Sequence, residues 1–166
     1  MLKLCYTIDD VDFRQLMDVY EETNRITGRE KYPREIEGLQ LLFAEQDFYQ
    51  YLKLFFRFPG ATYAIWAEGG RYKAALRLEE YRDGSLITAL ETHPAARQRG
   101  YATMLLNAVK DYTKASSGGA LYSHVGKTNL PSMRTHRACG FHVLEECPVF
   151  LDGTVHDDHF TLKWCY

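Results

Sequence analysis

The sequence predicts an α/β (α+β) fold in which one mixed sheet carries helices on both of its faces. Two changes in the spacing of apolar residues indicate this fold. The spacing is helical up to Phe58, alternates between residues 62 and 92, and becomes helical again from Gln98 to Lys114. The remaining chain adds a strand, a short helix and two further strands. The element order β-α-α-β-β-β-α-β-α-β-β therefore places helical connections above and below a single sheet.

The N-terminal third of the chain is predicted to hold one strand and two helical stretches. Lys3 to Ile8 forms a short strand, and Asp9 or Asp10 caps a helix that ends by Gly28. A second helical stretch runs from Pro33 to about Phe58 and is long enough for two helices. Its aromatic residues either line a pocket or, as helical spacing favours, belong to the core: Tyr32, Phe48, Tyr49, Tyr51 and Phe55.

Strands dominate the rest of the chain. Alternating apolar residues indicate three consecutive strands before residue 93, with Asp83-Gly84 as the hairpin turn between the second and the third. The predicted strands are Thr62–Ala67, Tyr72–Tyr81, Leu86–Thr92 and Ala120–Val125. The predicted helices are Gln98–Lys114 and Leu130–Cys139, and a closing hairpin joins Phe141–Leu151 to Val155–Trp164 across Asp152-Gly153.

The composition favours one domain over residues 1–166. Of the 166 residues 46% are hydrophobic, enough for a core, and the segment Ser116 to Gly119 is too short to separate domains. A net charge of −2 gives no attraction to nucleic acid or to an anionic membrane, and no apolar run reaches the length of a membrane helix. We expect a cytoplasmic protein whose four cysteines, which form no CxxC pair, stay reduced.

The segment from Thr92 to Thr103 joins a strand to the start of a helix. Free backbone N–H groups and the positive end of the helix dipole attract anions at such a position. Gly100 lets the backbone approach a ligand closely, and Arg97 and Arg99 add positive charge for a diphosphate. The alternative is a tight turn at Gly100 with solvated arginines. A P-loop is excluded, because the sequence contains no GxxxxGK[ST] pattern.

A second segment with polar and ionisable side chains, Asn129 to Phe141, follows the strand Ala120–Val125. Asn129 caps the next helix, Pro131 suits its first turn, and Gly140 suits the residue after its end. Most of this pattern therefore has a structural explanation. Capping does not explain His136, which taken alone is more typical of a surface or core histidine than of a catalytic one.

Together the two segments resemble motifs A and B of the GNAT superfamily of acyl-CoA N-acyltransferases. The pattern Q/R-x-x-G-x-G/A occurs from Arg97 to Ala102, and the pattern N-x-x-S/A-x-x-x-Y/H-x-x-x-G-F occurs from Asn129 to Phe141 with every spacing kept. The resemblance spans about Ala61 to Phe150, whereas the N-terminal helices match only in element order. It implies a GNAT-like, mostly antiparallel twisted sheet of six to seven strands.

The resemblance also implies a site for acetyl-CoA as the acyl-donor cosubstrate. The pantetheine arm lies between two parallel strands that splay apart, here Leu86–Thr92 and Ala120–Val125, and pairs with the first as an added strand does. No metal is expected. The residues implied to bind the cosubstrate are Leu90, Glu91, Thr92, Arg97, Gln98, Arg99, Gly100, Tyr101, Ala102, Thr103, Asn129 and Ser132.

The implied function is N-acetyl transfer by direct attack of a neutral amine on the thioester. His136 stands where family members usually carry the tyrosine that protonates the departing thiolate, and an imidazole can do the same. We expect a primary amine on a small molecule as the acceptor, and leave a peptide acceptor and a homodimer open. The alternatives are a catalytically idle acyl-CoA-binding or sensing domain, and a protein N-terminal or lysine acetyltransferase.

The general base is unassigned. Family members often carry a carboxylate early on the strand before the phosphate loop, but Leu86 and Ile87 stand there. Glu91 lies on the same strand and, without a β-bulge, faces away from Leu90 and Thr92. The other candidates, each more typical of an ordinary surface or core residue, are Glu79, Glu80 and His124.

The run His156-Asp157-Asp158-His159 has the composition of a metal site. On a continuous strand, however, His156 and His159 point to opposite faces, which makes joint ligation unfavourable. We therefore expect no metal at this run and interpret it as part of a surface hairpin.

Overall fold

A computed structural model describes residues 1–116 and 118–166, so that Ser117, in the predicted Ser/Gly segment, lies outside the described residues. Its single seven-stranded sheet has the order β1-β2-β3-β4-β5-β7-β6. All neighbouring strands of this sheet are antiparallel except β4 and β5. The predicted fold class is confirmed. The strands are β1 Leu2–Cys5, β2 Thr62–Glu68, β3 Arg71–Tyr81, β4 Gly84–Thr92, β5 Ala120–Gly126, β6 His142–Glu145 and β7 His159–Trp164.

The described residues form five α-helices: α1 Phe13–Val19, α2 Glu21–Lys31, α3 Glu37–Phe55, α4 Tyr101–Ala115 and α5 Leu130–Ala138. Apolar side chains of α4, among them Leu105 and Leu106, fill one core together with one face of the sheet. Leu16 and Leu52, from α1 and α3, belong to a second core on the other face. Helices thus lie on both faces, as predicted.

The start of the chain differs from the prediction. β1 ends at Cys5, and Asp9 and Asp10 lie in a short 3-10 turn. The cap of α1 is Asp12, whose carboxylate accepts a hydrogen bond from the N–H of Gln15 at 3.1 Å. Asp10 instead accepts hydrogen bonds from the backbone before it, which competes with capping the helix after it.

The helix around Gly28 also differs from the prediction. Gly28 does not end α2 but lies inside it, where an added Cβ would collide with the carbonyl group of Gln40 in α3. The glycine therefore permits close helix packing. The stretch after Pro33 forms the single helix α3 rather than two. Phe55 is fully buried in the second core and Phe48 packs against that core. Tyr51 stacks on Phe55 at 6.1 Å between ring centroids but is 36% exposed, so the aromatic stripe belongs to the core only in part.

The closing hairpin is shorter than predicted. Between β6 and β7 only an isolated bridge joins Val149 to Val155, so His156 precedes the regular strand. The alternation argument for His156 and His159 therefore does not apply. Their ring nitrogens and a carboxylate oxygen of Asp158 lie within 4.8 Å of one another, and the prediction that the two histidines point apart is wrong.

The pairing of β4 with β5 stops halfway along the strands. Parallel pairs run from Gly84–Ala120 to Ile87–Ser123 and then end, so the strands separate as the resemblance implied. Just beyond, a register shift on the β3 side marks a β-bulge at Ala89, whose φ is +50°. The hydroxyl group of Tyr20 donates a hydrogen bond to the Ala89 carbonyl at 2.6 Å and holds the bulge in place.

Among the described residues, no helix combines the length and the apolar character that crossing a membrane requires. The four cysteines are all free thiols. Cys5 and Cys139 are buried, and Cys147 and Cys165 are exposed.

Candidate active site

A cavity of about 790 Å³ lies where β4 and β5 separate. Thr23 of α2 closes it on one side, and the starts of α4 and α5 close it on the other. Because the cleft lies between separated strands, it reaches residues from both faces of the sheet. The structure brings into its wall eleven of the twelve residues implied to bind the cosubstrate, namely Leu90, Glu91, Thr92, Arg97, Gln98, Gly100, Tyr101, Ala102, Thr103, Asn129 and Ser132.

The N-terminus of α4 forms one end of the cavity. Gly100 takes the N-cap position with φ +80°, and no side chain among the described residues caps the helix there. The first backbone N–H groups of α4, which have no partner inside the helix, therefore remain available to an anion. No protein atom lies within 4 Å of a Cβ placed on Gly100, so the backbone is open to a ligand at this point.

The two arginines of the phosphate segment lie in different places. Arg97 lines the cavity, and its guanidinium lies 2.6 Å from a carboxylate oxygen of Glu22 at the start of α2. Arg99 instead lines a separate cavity of about 240 Å³, which it shares with Arg71 and Lys73. The structure does not bring Arg99 into the main cavity.

The start of α5 forms the other end. Asn129 caps this helix, because its side-chain oxygen accepts a hydrogen bond from the N–H of Ser132 at 3.2 Å. With that oxygen engaged, the amide nitrogen of Asn129 can still donate to a ligand. Three lining residues that we did not select from the sequence belong to the same helix, at helical spacing from Asn129 and Ser132: Pro131, Arg134 and Thr135.

His136 lies one turn further along α5 and does not line the cavity. Its side chain is 1% exposed, and its Nδ1 lies 2.9 Å from the Ser132 carbonyl oxygen, so Nδ1 carries a hydrogen. Its Nε2 is buried without a hydrogen-bond partner among the described residues. Burial lowers the pKa of this imidazole. In this tautomer Nε2 is an acceptor, so His136 can supply a proton only as an imidazolium, which burial disfavours.

Glu91, named from the sequence as a site residue and a candidate base, is a carboxylate of the cavity wall. It is half-buried in the cavity wall, and the hydroxyl group of Thr23 donates a hydrogen bond to its Oε1. Burial raises the pKa of Glu91, while Thr23 and the charge of Arg97 oppose the shift. The side chain faces α2, opposite to Leu90 and Thr92, as alternation predicts. It reaches the cavity nevertheless, because the cavity extends through the sheet.

Sequence and structure comparisons bear on this site. A family model described as the acetyltransferase (GNAT) family matches residues 14–141. The chain belongs to this family. The match includes both motifs and also most of the N-terminal helices, for which the sequence pattern showed only a common element order.

Solved structures of N-acetyltransferases share the fold. The PaiA N-acetyltransferase of Thermoplasma acidophilum, in complex with coenzyme A, aligns with a TM-score of 0.66 at 14% identity over 100% of this chain and 99% of its own. The Campylobacter jejuni N-acetyltransferase PseH, in complex with acetyl coenzyme A, aligns with a TM-score of 0.66 at 12% identity over 99% of this chain and 98% of its own. A ribosomal-protein-alanine N-acetyltransferase from Brucella melitensis aligns with a TM-score of 0.65 at 14% identity over 100% of this chain and 99% of its own. No curated protein matches the sequence.

In this member of the GNAT family, the other candidate bases lie outside the cavity wall. Glu79 accepts a hydrogen bond from the Thr88 hydroxyl group at 3.0 Å, and Glu80 is exposed. His124 is stacked on Phe150 with a ring-centroid distance of 4.5 Å, and its pKa is lowered by burial. Of the carboxylates and imidazoles considered from the sequence, the described cavity wall contains only Glu91.

Proposed function

We propose that the protein transfers an acetyl group from acetyl-CoA to a primary amine on a small molecule. The observation that carries this proposal is the continuity of the cavity. One space joins the open N-terminus of α4, the end of β4 beyond its pairing with β5, and the capped start of α5. Those three features suit a diphosphate, an extended pantetheine arm and the amide groups of that arm, in that order.

The residues present fit such a ligand. Gly100 leaves the backbone of the α4 N-terminus accessible, and the N–H groups of Tyr101 and Ala102 offer donors to phosphate oxygens. Arg97 adds a positive charge beside them. Beyond Ile87 the β4 backbone has no partner on β5, which leaves its polar groups available to an amide. When bound, acetyl-CoA supplies the activated thioester.

We assign Glu91 to the removal of a proton from the acceptor amine, directly or through a water molecule. An ammonium group must lose a proton before its nitrogen can attack, and a carboxylate with a raised pKa is a stronger base than an exposed one. The Thr23 hydroxyl group, by donating to Oε1, fixes the carboxylate orientation. The proton for the departing thiolate comes from His136 or from solvent, and the role of His136 remains a prediction.

The acceptor is expected to be small and cationic. A cavity of about 790 Å³ is within the range of a single ligand site and leaves limited room beside a pantetheine arm. The carboxylate of Glu91 lines the cavity and that of Glu22 is paired with Arg97 of the cavity wall, and both favour a positively charged group over an anionic one. One domain over residues 1–166, a homodimer and a cytoplasmic location remain predictions from the sequence.

Calorimetric titration of acetyl-CoA and of CoA into the purified chain tests the site. We expect both to bind, and Gly100→Glu to abolish binding because it places a carboxylate and a side chain where phosphate would lie. Gly70→Glu is the matched control, since Gly70 also has a positive φ (+74°) and open space around its Cβ position. Equal binding by the wild type and Gly100→Glu would refute the site, and absence of binding to either ligand would refute the function.

Turnover separates the candidate functions. Release of CoA with a panel of small primary amines, above the hydrolytic background, supports the proposed enzyme. Binding without release of CoA from any amine or peptide would identify an acyl-CoA-binding domain instead. Release that requires a peptide N-terminus or a lysine side chain would identify a protein acetyltransferase.

A further inference from the structure

A group of three potential metal ligands lies at the start of β7 and in the turn before it, outside the cavity described above. His156, Asp158 and His159 each contribute one ligand atom, and these atoms lie within 4.8 Å of one another. The Nδ1 atom of His159 is 2.7 Å from Oδ1 of Asp158, and Nδ1 of His156 is 3.6 Å from the same oxygen. Both imidazoles therefore present Nδ1 to one carboxylate.

Hydrogen bonds on the far side of His156 determine the tautomer of its neutral imidazole. The Thr154 hydroxyl group donates its hydrogen to Oδ1 of Asp152 at 2.6 Å, and its oxygen lies 2.8 Å from Nε2 of His156. Since that hydrogen is already engaged, Nε2 must be the donor, and a neutral His156 has its lone pair on Nδ1. This lone pair points towards the Asp158 carboxylate, an arrangement that a cation between them would stabilise.

The same arrangement is typical of metal-binding histidines. Such histidines usually donate their second ring N–H to a carboxylate or to another acceptor that fixes the tautomer and the ring orientation. Here Thr154 and Asp152 form this relay behind His156. The Phe150 ring stacks on His156 at 3.8 Å between centroids and contacts His159 edge-on at 5.2 Å, which restricts both imidazoles.

Backbone hydrogen bonds also fix the segment that carries the three ligands. The N–H of His156 donates to the Pro148 carbonyl at 2.9 Å, and the N–H of Lys127 donates to the Asp158 carbonyl at 2.8 Å. The ligands therefore belong to a turn fixed at both ends rather than to a free loop. Their side chains keep partial solvent access, with 33% of His156 and 27% of His159 exposed, so an ion can enter.

We propose that His156, Asp158 and His159 bind one divalent first-row transition metal ion, with zinc as the reference ion. A site of two imidazoles and one carboxylate favours such ions over magnesium and calcium, which prefer oxygen ligands alone. In a tetrahedral zinc site the ligand atoms lie roughly 3.3 Å apart, from bonds of about 2.0 Å. The observed separations need only small side-chain rotations to reach that value, and water completes the coordination.

Metal binding would connect this turn to the start of α5. A Cβ on Gly126 would lie 3.8 Å from Nε2 of His159 and 3.9 Å from the Asn129 side chain, so the three groups are neighbours. The ion would therefore stabilise the segment after β5 that presents Asn129 to the cavity. The proposal concerns this surface site and does not depend on the acetyl-transfer reaction.

Titration of zinc into the metal-free, tag-free chain, followed by calorimetry and by metal analysis after dialysis, tests the proposal. We expect one ion per chain. His159→Ala and Asp158→Asn should reduce the affinity at least 100-fold, and Thr154→Val should reduce it roughly 10- to 100-fold by removing the relay behind His156. His142→Ala, at an exposed histidine of β6, is the control and should bind as the wild type does.

Two results would overturn the proposal. One is absence of stoichiometric zinc binding by the wild type. The other is binding that survives His159→Ala and Asp158→Asn, which would place the ion elsewhere, for example on the exposed thiols of Cys147 and Cys165. Cobalt substitution provides a second readout, because a histidine and carboxylate site gives visible d–d bands without thiolate charge transfer. Circular dichroism establishes that each variant is folded.

Discussion

At the scale of single residues, the environment of Glu91 departs furthest from what its place in the sequence suggests. A glutamate that alternates away from Leu90 and Thr92 is ordinarily a solvated surface residue. In the folded chain it is half-buried, holds a hydrogen bond from Thr23 and lines the cavity. The separation of β4 from β5, rather than any property of the residue, places it there.

Glu91→Gln should lower kcat by about 10²- to 10⁴-fold, the usual contribution of a general base. Because burial raises the pKa of Glu91, the acid limb of the wild-type kcat/KM profile should lie above the ordinary glutamate value of about 4.3. The control is Glu79→Gln, which changes a carboxylate outside the cavity wall. An unchanged kcat for Glu91→Gln, at saturating substrates, would contradict the assignment.

The burial of Glu91 should also affect the free energy of unfolding. A raised folded-state pKa means that the protein is most stable while this carboxyl is neutral and loses stability as pH rises through that pKa. The glutamine variant has no charge to bury, and Thr23 can still donate to its amide oxygen. Urea unfolding at pH 7 should therefore find Glu91→Gln at least as stable as the wild type.

His136 should make folding sensitive to mild acid. Its pKa is lowered by burial, so between about pH 6.5 and that lower value the unfolded chain binds a proton that the folded chain does not. The contribution of neutral His136 to the free energy of unfolding is therefore fully present above pH 6.5 and is lost as pH falls through the lowered pKa. His136→Leu should reduce this slope in urea unfolding, and His142→Leu on the exposed face of β6 should not. Identical slopes for the wild type and His136→Leu would contradict the prediction.

The motif residues show what a sequence can predict at this scale. Asn129, Gly100 and their neighbours were found because spacing along the chain is preserved when a strand, a loop and a helix fold locally. Thr23 was missed because its contact with Glu91 joins residues far apart in sequence. His156 and His159 were misjudged because the alternation rule was applied to a residue that precedes the regular strand.

At the scale of elements, the bulge in β4 is held by a single long-range hydrogen bond. Tyr20 lies between α1 and α2, is 1% exposed, and donates to the carbonyl of Ala89. Ala89 has a positive φ, which costs energy for any residue with a side chain. The bond therefore stabilises the conformation that turns the end of β4 towards the cavity.

Tyr20→Phe should destabilise the protein by about 1 to 3 kcal/mol, since it leaves a partly buried carbonyl without its donor. Chemical denaturation measures the change. Tyr6→Phe is the matched control: the Tyr6 hydroxyl group contacts that of Tyr112 at 3.2 Å on the exposed surface, so its loss should cost little. Equal destabilisation by the two variants would show that the hydrogen bond to Ala89 contributes no more to stability than an exposed hydroxyl contact.

The limits of helices and strands were predicted unevenly. β2, β3, β4 and α4 were predicted within a few residues, because period changes mark them locally. The hairpin turn was predicted one residue late, since Gly84 already pairs with Tyr81 and the turn is Arg82-Asp83. The cap of α1 was misplaced, since three aspartates compete and only the folded backbone decides between them. Gly28 was taken as a helix end, whereas its contact with Gln40 depends on the packing of two helices.

At the scale of the whole molecule, two cores on opposite faces share one sheet. Leu106 of α4 is fully buried in one of them, whereas Met104 of the same helix is 43% exposed. Leu106→Ala should cost about 2 to 5 kcal/mol in the free energy of unfolding. Met104→Ala should change it by less than about 0.5 kcal/mol. If both cost the same, α4 would not pack on the sheet as described.

The fold class followed from the element order, whereas the order of strands in the sheet was not predicted beyond the neighbouring parallel pair that the resemblance implied. Periodicity identifies which residues face a core, but it does not say which strands are neighbours. That β7 lies between β5 and β6 depends on contacts between residues such as Val125 and Phe160, which no local pattern encodes.

The ion pair between Arg97 and Glu22 has a consequence for the order in which substrates arrive. Both side chains are about half exposed, so the pair is weak. A diphosphate at the start of α4 is a stronger partner for the guanidinium and displaces Glu22 at little cost. On the proposed function, donor binding would free the Glu22 carboxylate for a cationic acceptor. Initial-rate kinetics should show compulsory-order addition, with acetyl-CoA first, and Glu22→Gln should make the order random.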